Sequence, residues 1–163
     1  MEYGREGDFL CQEEMQTEKL WLNNAQFFEE IGRMLQNGHS VTMRAKGNSM
    51  FPFIRDERDS VVLQGRKDIA VGSIVLVRLQ NGSYVLHRVY RLEKEAMVLM
   101  GDGNLYATER CRRNEVVGVA VKIIRDGRFV DCTSRKELFR ARVWRKLLPL
   151  RRVLLYLCRR WRI

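Results

Sequence analysis

Histidine and proline are nearly missing from this chain, with two of each in 163 residues. Two histidines, His39 and His87, argue against a histidine-rich metal centre. Cysteine is present but unpatterned. Cys11, Cys111, Cys132 and Cys158 form no C-x-x-C pair and no ligand spacing, so they read as buried or idle thiols. A single bridge between two of them stays open, but nothing suggests a disulfide framework. Long apolar runs are absent too: no stretch reaches the eighteen or so residues that a spanning helix needs. Residues 1–16 are acidic and polar, without the basic and then apolar order of a leader peptide.

What the chain does have is a lopsided charge. The formal net charge is +10, and all of it sits at one end. From Ser134 onward there are eleven Lys/Arg and one Asp/Glu, whereas residues 1–133 carry nineteen of each sign. A neutral body with a basic tail implies an anionic partner for the tail, either a membrane surface or nucleic acid. The length fits one domain with a real core. The expected division is therefore a body over 1–133 and a basic amphipathic tail over 134–163.

Periodicity predicts one helix over about 24–37. Phe27, Phe28, Ile31, Met34 and Leu35 recur on one helical face, Asn23 or Asn24 can cap it, and Asn37-Gly38 ends it. Leu20-Trp21-Leu22 is read as a short strand ahead of it. A β core over about 40–131 follows. Its strand signals are Val41 to Ala45, Val61 to Leu63, Ile74 to Val77, Tyr84 to Leu86, Met97 to Met100 and Val116 to Val121. Asn81-Gly82 and Asp126-Gly127 are turn signals, the second leading into a short return at Phe129-Val130. Many short strands without βαβ alternation predict a mainly β domain with a coiled, partly barrel-like sheet.

Three stretches carry chemistry. Gly47-Asn48-Ser49-Met50-Phe51-Pro52 offers a nucleophile, flanked by a flexible Gly47 and a turn-fixing Pro52. His87-Arg88-Val89 offers a base on a strand. Gly101-Asp102-Gly103-Asn104 offers a carboxylate just past a strand end. Serine is a weak nucleophile until a base takes its proton, and a carboxylate can orient that base. Singly, Ser49 and Asp102 read as turn residues and His87 as a structural histidine; only together do they suggest a triad.

The serine stretch resembles the G-x-S-M-x-P box of type I signal peptidases and their relatives, the self-cleaving repressor proteases among them. His87-Arg88-Val89 resembles the base-bearing box of the branch that uses His in place of Lys. The Gly-Asp stretch resembles the later Gly-Asp box, and the runs at Asp59 to Val62 and Val71 to Val77 resemble the connecting strands. The resemblance spans about 40–125. It implies a serine peptidase with Ser49 as nucleophile, His87 as base and Asp102 as orienting carboxylate. It also implies substrate contacts around Asn48, Met50 and Pro52, and no metal or organic cofactor. The substrate implied is an extended peptide or precursor protein that pairs with a sheet edge. Gly47 stands where some relatives have a second oxyanion donor. The alternatives are a non-catalytic peptide- or membrane-binding module of the same fold and a self-cleaving repressor-type protease.

In the tail, apolar residues alternate with arginines up to Pro149, which breaks the helix. A second apolar run, Val153 to Cys158, is fenced by arginine pairs. Trp144, Arg145, Lys146, Arg151, Arg152, Arg159, Arg160 and Trp161 are the expected contacts with an anionic membrane surface. The leucine content argues for lipid over nucleic acid. The expected location is cytoplasmic and peripheral to a membrane.

Overall fold

The structure is a computed structural model and describes residues 24–65 and 68–160. The strand expected at Leu20-Trp21-Leu22, the Asn23 cap, Cys11 and Trp161 lie outside the described residues.

Helix α1 is Asn24–Gln36. Gly38, at φ +85°, ends it: its N–H donates to the Leu35 carbonyl and His39 N–H to that of Met34. Those two bonds satisfy carbonyls that the last turn would leave free. The strands follow in order: β1 Val41–Arg44, β2 Ser60–Gln64, β3 Ile74–Arg78, β4 Tyr84–Leu92, β5 Ala96–Met100, β6 Glu109–Arg112, β7 Val116–Arg125 and β8 Arg128–Asp131. All eight join one antiparallel sheet in the order β1-β2-β7-β3-β4-β5-β6. Strand β7 pairs with β3 through Val116 to Ala120 and with β8 through Lys122 to Arg125. Register shifts in β2, β3 and β4 curl the sheet towards a half-barrel, since bulges bend strands and increase twist. The expected mainly β fold is what the structure shows.

The alternation of β3 explains the core. Ile74 and Leu76 join one cluster with Ile31 and Leu35 of α1, Leu63 and Met50. Val75 and Val77 join a second cluster with Val89, Met97, Leu99, Cys111 and Val116. Successive side chains on a strand point to opposite faces, so β3 separates two cores and is buried on both. Strand β6 was not foreseen in the sequence. Its residues, Glu109-Arg110-Cys111-Arg112, contain a single apolar side chain, Cys111, which is buried in the second core.

The basic tail is two helices, α2 Arg135–Lys146 and α3 Arg151–Arg160, joined by a 3-10 turn at Leu148–Leu150 that holds Pro149. Ser134 caps α2, accepting from Glu137 N–H. The tail is docked rather than splayed. Trp144 Nε1–H donates to the Asp102 carbonyl at 2.9 Å, and Arg151 donates to the carbonyls of Asn104 and Trp144. Arg145 donates to the Tyr90 carbonyl. This corrects the expectation that Trp144, Arg145 and Arg151 face a membrane. Trp144 and Arg151 are buried, and each of the three side chains donates at least one hydrogen bond to the protein's own backbone. Lys146, Arg152, Arg159 and Arg160 do lie exposed. Among the described residues, no helix is long and apolar enough to cross a membrane.

Candidate active site

Ser49 sits on an excursion between β1 and β2 whose ends are tied together. Ala45 N–H donates to the Asp59 carbonyl and Glu57 N–H to that of Ala45. Inside the excursion, Gly47 N–H donates to the Asp56 carboxylate at 2.7 Å, with Gly47 at φ +93°. Glycine meets that conformation without a Cβ penalty. Below, fully buried Asp59 accepts from Arg55 (Nε and Nη2) and from Arg125 on β7. Burial pushes the Asp59 carboxyl up, but the arginine hydrogen bonds outweigh it and hold the group below the usual carboxylate range. The excursion is thus pinned to the sheet by an ionic knot that is charged near neutral pH.

The 101–104 loop pins it from the other side. Gly103 N–H donates to the Ser49 carbonyl at 2.8 Å. A Cβ on Gly101 would stand 2.3 Å from that same carbonyl, and one on Gly103 would stand 2.5 Å from the Asn48 carbonyl. The two glycines are therefore required for close approach of backbone to backbone. Because Trp144 and Arg151 hold the carbonyls of Asp102 and Asn104, the tail supports the loop that supports Ser49.

His87 is the fourth residue of β4 and is 5% exposed. Ser49 and His87 line one cavity of about 180 Å³. Its other walls are mostly apolar, including Phe28, Met43, Ile54, Leu76 and Leu86. Met50 belongs to this cavity as well and is buried in the first core. Asn48 is exposed, and its carbonyl accepts from Phe51 N–H. Pro52, which follows a cis peptide bond, lines a different hollow with Phe53, Phe139 and Val143. Pro52, expected as a substrate contact, does not line the cavity of Ser49 and His87.

The carboxylate beside His87 is Glu109 on β6, at 2.7 Å from Nδ1. Asp102, expected there, is bound instead by Arg88, with Nε at 2.9 and 3.1 Å and Nη2 at 2.7 Å. The reason is strand geometry. His87 and Arg88 are consecutive on β4, so their side chains leave opposite faces and cannot share one partner. Burial works against charge on Arg88, but Asp102 outweighs it and raises the guanidinium. The spacing of the sequence boxes carries no information about faces. Glu109 went unnoticed because it sits in a polar strand with no motif around it; the one available signal was a carboxylate shortly after the Gly-Asp box.

No described cysteine is a strong rival for the nucleophile. Burial pushes the Cys111 and Cys132 thiols each up to about 11, so both are protonated near neutral pH. Cys158 is free and half-buried at the tail, away from the Ser49 cavity.

A curled antiparallel sheet that carries a serine on a pinned loop beside a strand-borne, carboxylate-held histidine is a serine-peptidase-type architecture. The Peptidase S24-like family model matches residues 7–123, well over half of the chain, and the chain belongs to that family. No curated protein matches it.

Proposed function

We propose that the chain is a serine endopeptidase in which Ser49 attacks the scissile carbonyl and His87 takes its proton. Glu109 accepts a hydrogen bond from His87 Nδ1–H, which leaves Nε2 as the ring atom for Ser49 and stabilises the imidazolium that forms. His87 then returns the proton to the leaving amine. The Ser49 backbone N–H is the available oxyanion donor, since Gly47 offers no side chain. The observation that carries this reading is the single cavity lined by both Ser49 and His87, with Nδ1 already engaged by Glu109.

An extended peptide would add to the outer edge of β1, which is the end strand of the sheet and runs directly into the Ser49 excursion. A volume of about 180 Å³ with apolar walls suits a small side chain next to the scissile bond. Exported or precursor peptides fit this reading, as in the type I signal peptidases that the boxes resemble. The exposed side of α3 supports work near a membrane. Val153, Tyr156 and Leu157 are exposed along α3, with Leu150 just ahead of it, and Arg152, Arg159 and Arg160 are exposed on the same helix.

The test is a library of extended peptides read by mass spectrometry, with and without anionic vesicles, for the native chain and Ser49→Ala. Loss of cleavage in Ser49→Ala, with faster cleavage on vesicles, is the expected result. Cleavage that survives in Ser49→Ala, or no cleavage by the folded native chain, overturns the peptidase reading. Intact-mass measurement of the native chain over time separates cleavage of other peptides from self-cleavage, the alternative that family membership raises.

A further inference from the structure

A second cavity, of about 400 Å³, lies between the sheet and α2, and it shares no residue with the cavity of Ser49 and His87. Its size falls within the range of small-molecule sites. Val71, Val89, Met100, Leu138 and Trp144 give it an apolar body. Its charge is unusual. Arg88, Arg142, Arg145 and Arg151 all line it, against one carboxylate, Asp102. That carboxylate is already taken by Arg88. Among the described residues no carboxylate pairs with Arg142, Arg145 or Arg151.

Arg151 is the more telling member. It is 2% exposed, and its Nε–H has no hydrogen-bond partner among the described residues. Its remaining donors reach the carbonyls of Asn104 and Trp144 and the sulfur of Met100, none of which carries a formal charge. Asp102 acts on Arg151 only at a distance and is itself bonded to Arg88. A buried guanidinium with no carboxylate in hydrogen-bond contact is costly, and a buried donor without an acceptor adds to the cost. An anion in the cavity would offset both.

We propose that this cavity binds an amphiphilic anion, a carboxylate or phosphate on an apolar chain, with the chain between β4 and α2 and the head among the uncompensated arginines. The site is separate from the peptidase centre and does not depend on that reading. Its occupant would touch Trp144 and Asp102, and so bear on the loop that holds the Ser49 carbonyl.

The experiment is isothermal titration calorimetry of the full chain with decanoate, decyl phosphate and decyltrimethylammonium, each below its micelle concentration. The expected result is saturable one-to-one binding of both anions and none of the cation. Two substitutions at the exposed rim are chosen to leave the fold intact, checked by circular dichroism. Val71→Trp fills the mouth and Arg142→Glu reverses its charge; each should weaken decanoate at least tenfold. A combined Arg152→Glu, Arg159→Glu, Arg160→Glu variant should bind decanoate as the native chain does, because those residues lie outside the cavity. The proposal fails if the cation binds as well as the anions or if nothing saturates. It also fails if the rim substitutions have no effect, or if the α3 variant alone abolishes binding.

Discussion

His87 and Arg88 are adjacent on β4, and each holds a carboxylate, yet the two pairs do opposite work. The first faces a small apolar cavity that also contains Ser49. The second faces a larger cavity under the tail, and its guanidinium stays charged at any ordinary pH. One peptide step therefore separates the pair proposed for proton transfer from a buried ion pair. The lesson is that a strand assigns roles by face, and neighbours in sequence need not be neighbours in chemistry.

Substitution at each of the two positions is the bluntest way to break the comparison. His87→Ala should lower peptide turnover by about 10³-fold while the chain stays folded, since it removes the base and leaves unpaired only Glu109, a carboxylate that water can reach. Arg88→Ala should instead cost about 3–5 kcal/mol of stability, because it leaves buried Asp102 without its partner. Thermal melts and peptide assays on both variants check the contrast. A collapse of stability in His87→Ala with activity retained in Arg88→Ala would reverse the assignment.

Glu109→Gln is a finer cut. It should lower turnover by about 10²-fold, because it replaces the carboxylate that orients His87 Nδ1. A peptide-cleavage assay with a thermal melt alongside measures the effect.

The smallest effect expected concerns the knot beneath Ser49. Asp59 is held below the usual carboxylate range by Arg55 and Arg125, against the opposing pull of burial. Its contribution to stability is present above the ordinary aspartate value of about 3.9 and is lost as pH falls through the lower folded value. Asp59→Asn should cost about 2 kcal/mol near neutral pH. It should also flatten the fall in melting temperature below about pH 4. An unchanged acid slope in the variant would remove Asp59 from this account.

Much of the fold was legible because its signals are local. The apolar face of α1, the Gly38 stop and the apolar runs of β2, β3, β5 and β7 each follow from residues close together in the chain. Ser49 and His87 were legible for a different reason: their boxes resemble a known family in order and spacing. What stayed hidden depends on which face a side chain leaves by and on what packs above it. Glu109 lies in a short, mostly charged strand that shows no β signature, and it meets His87 only through the register of β6 on β5. Asp102 was assigned to the wrong neighbour because spacing cannot tell one face of β4 from the other. Trp144 and Arg151 looked like lipid contacts because an arginine-rich helix reads as surface. Their burial depends on free carbonyls in the 101–104 loop that no sequence pattern announces.

The most direct test of the central claim sets Glu109→Gln against Asp102→Asn in one peptide-cleavage series, with thermal melts alongside. If Glu109 is the carboxylate that serves His87, Glu109→Gln loses turnover at a nearly native melting temperature. Asp102→Asn then melts lower but, where folded, keeps native turnover. Lost turnover in folded Asp102→Asn with native turnover in Glu109→Gln would contradict the account and return the orienting role to Asp102.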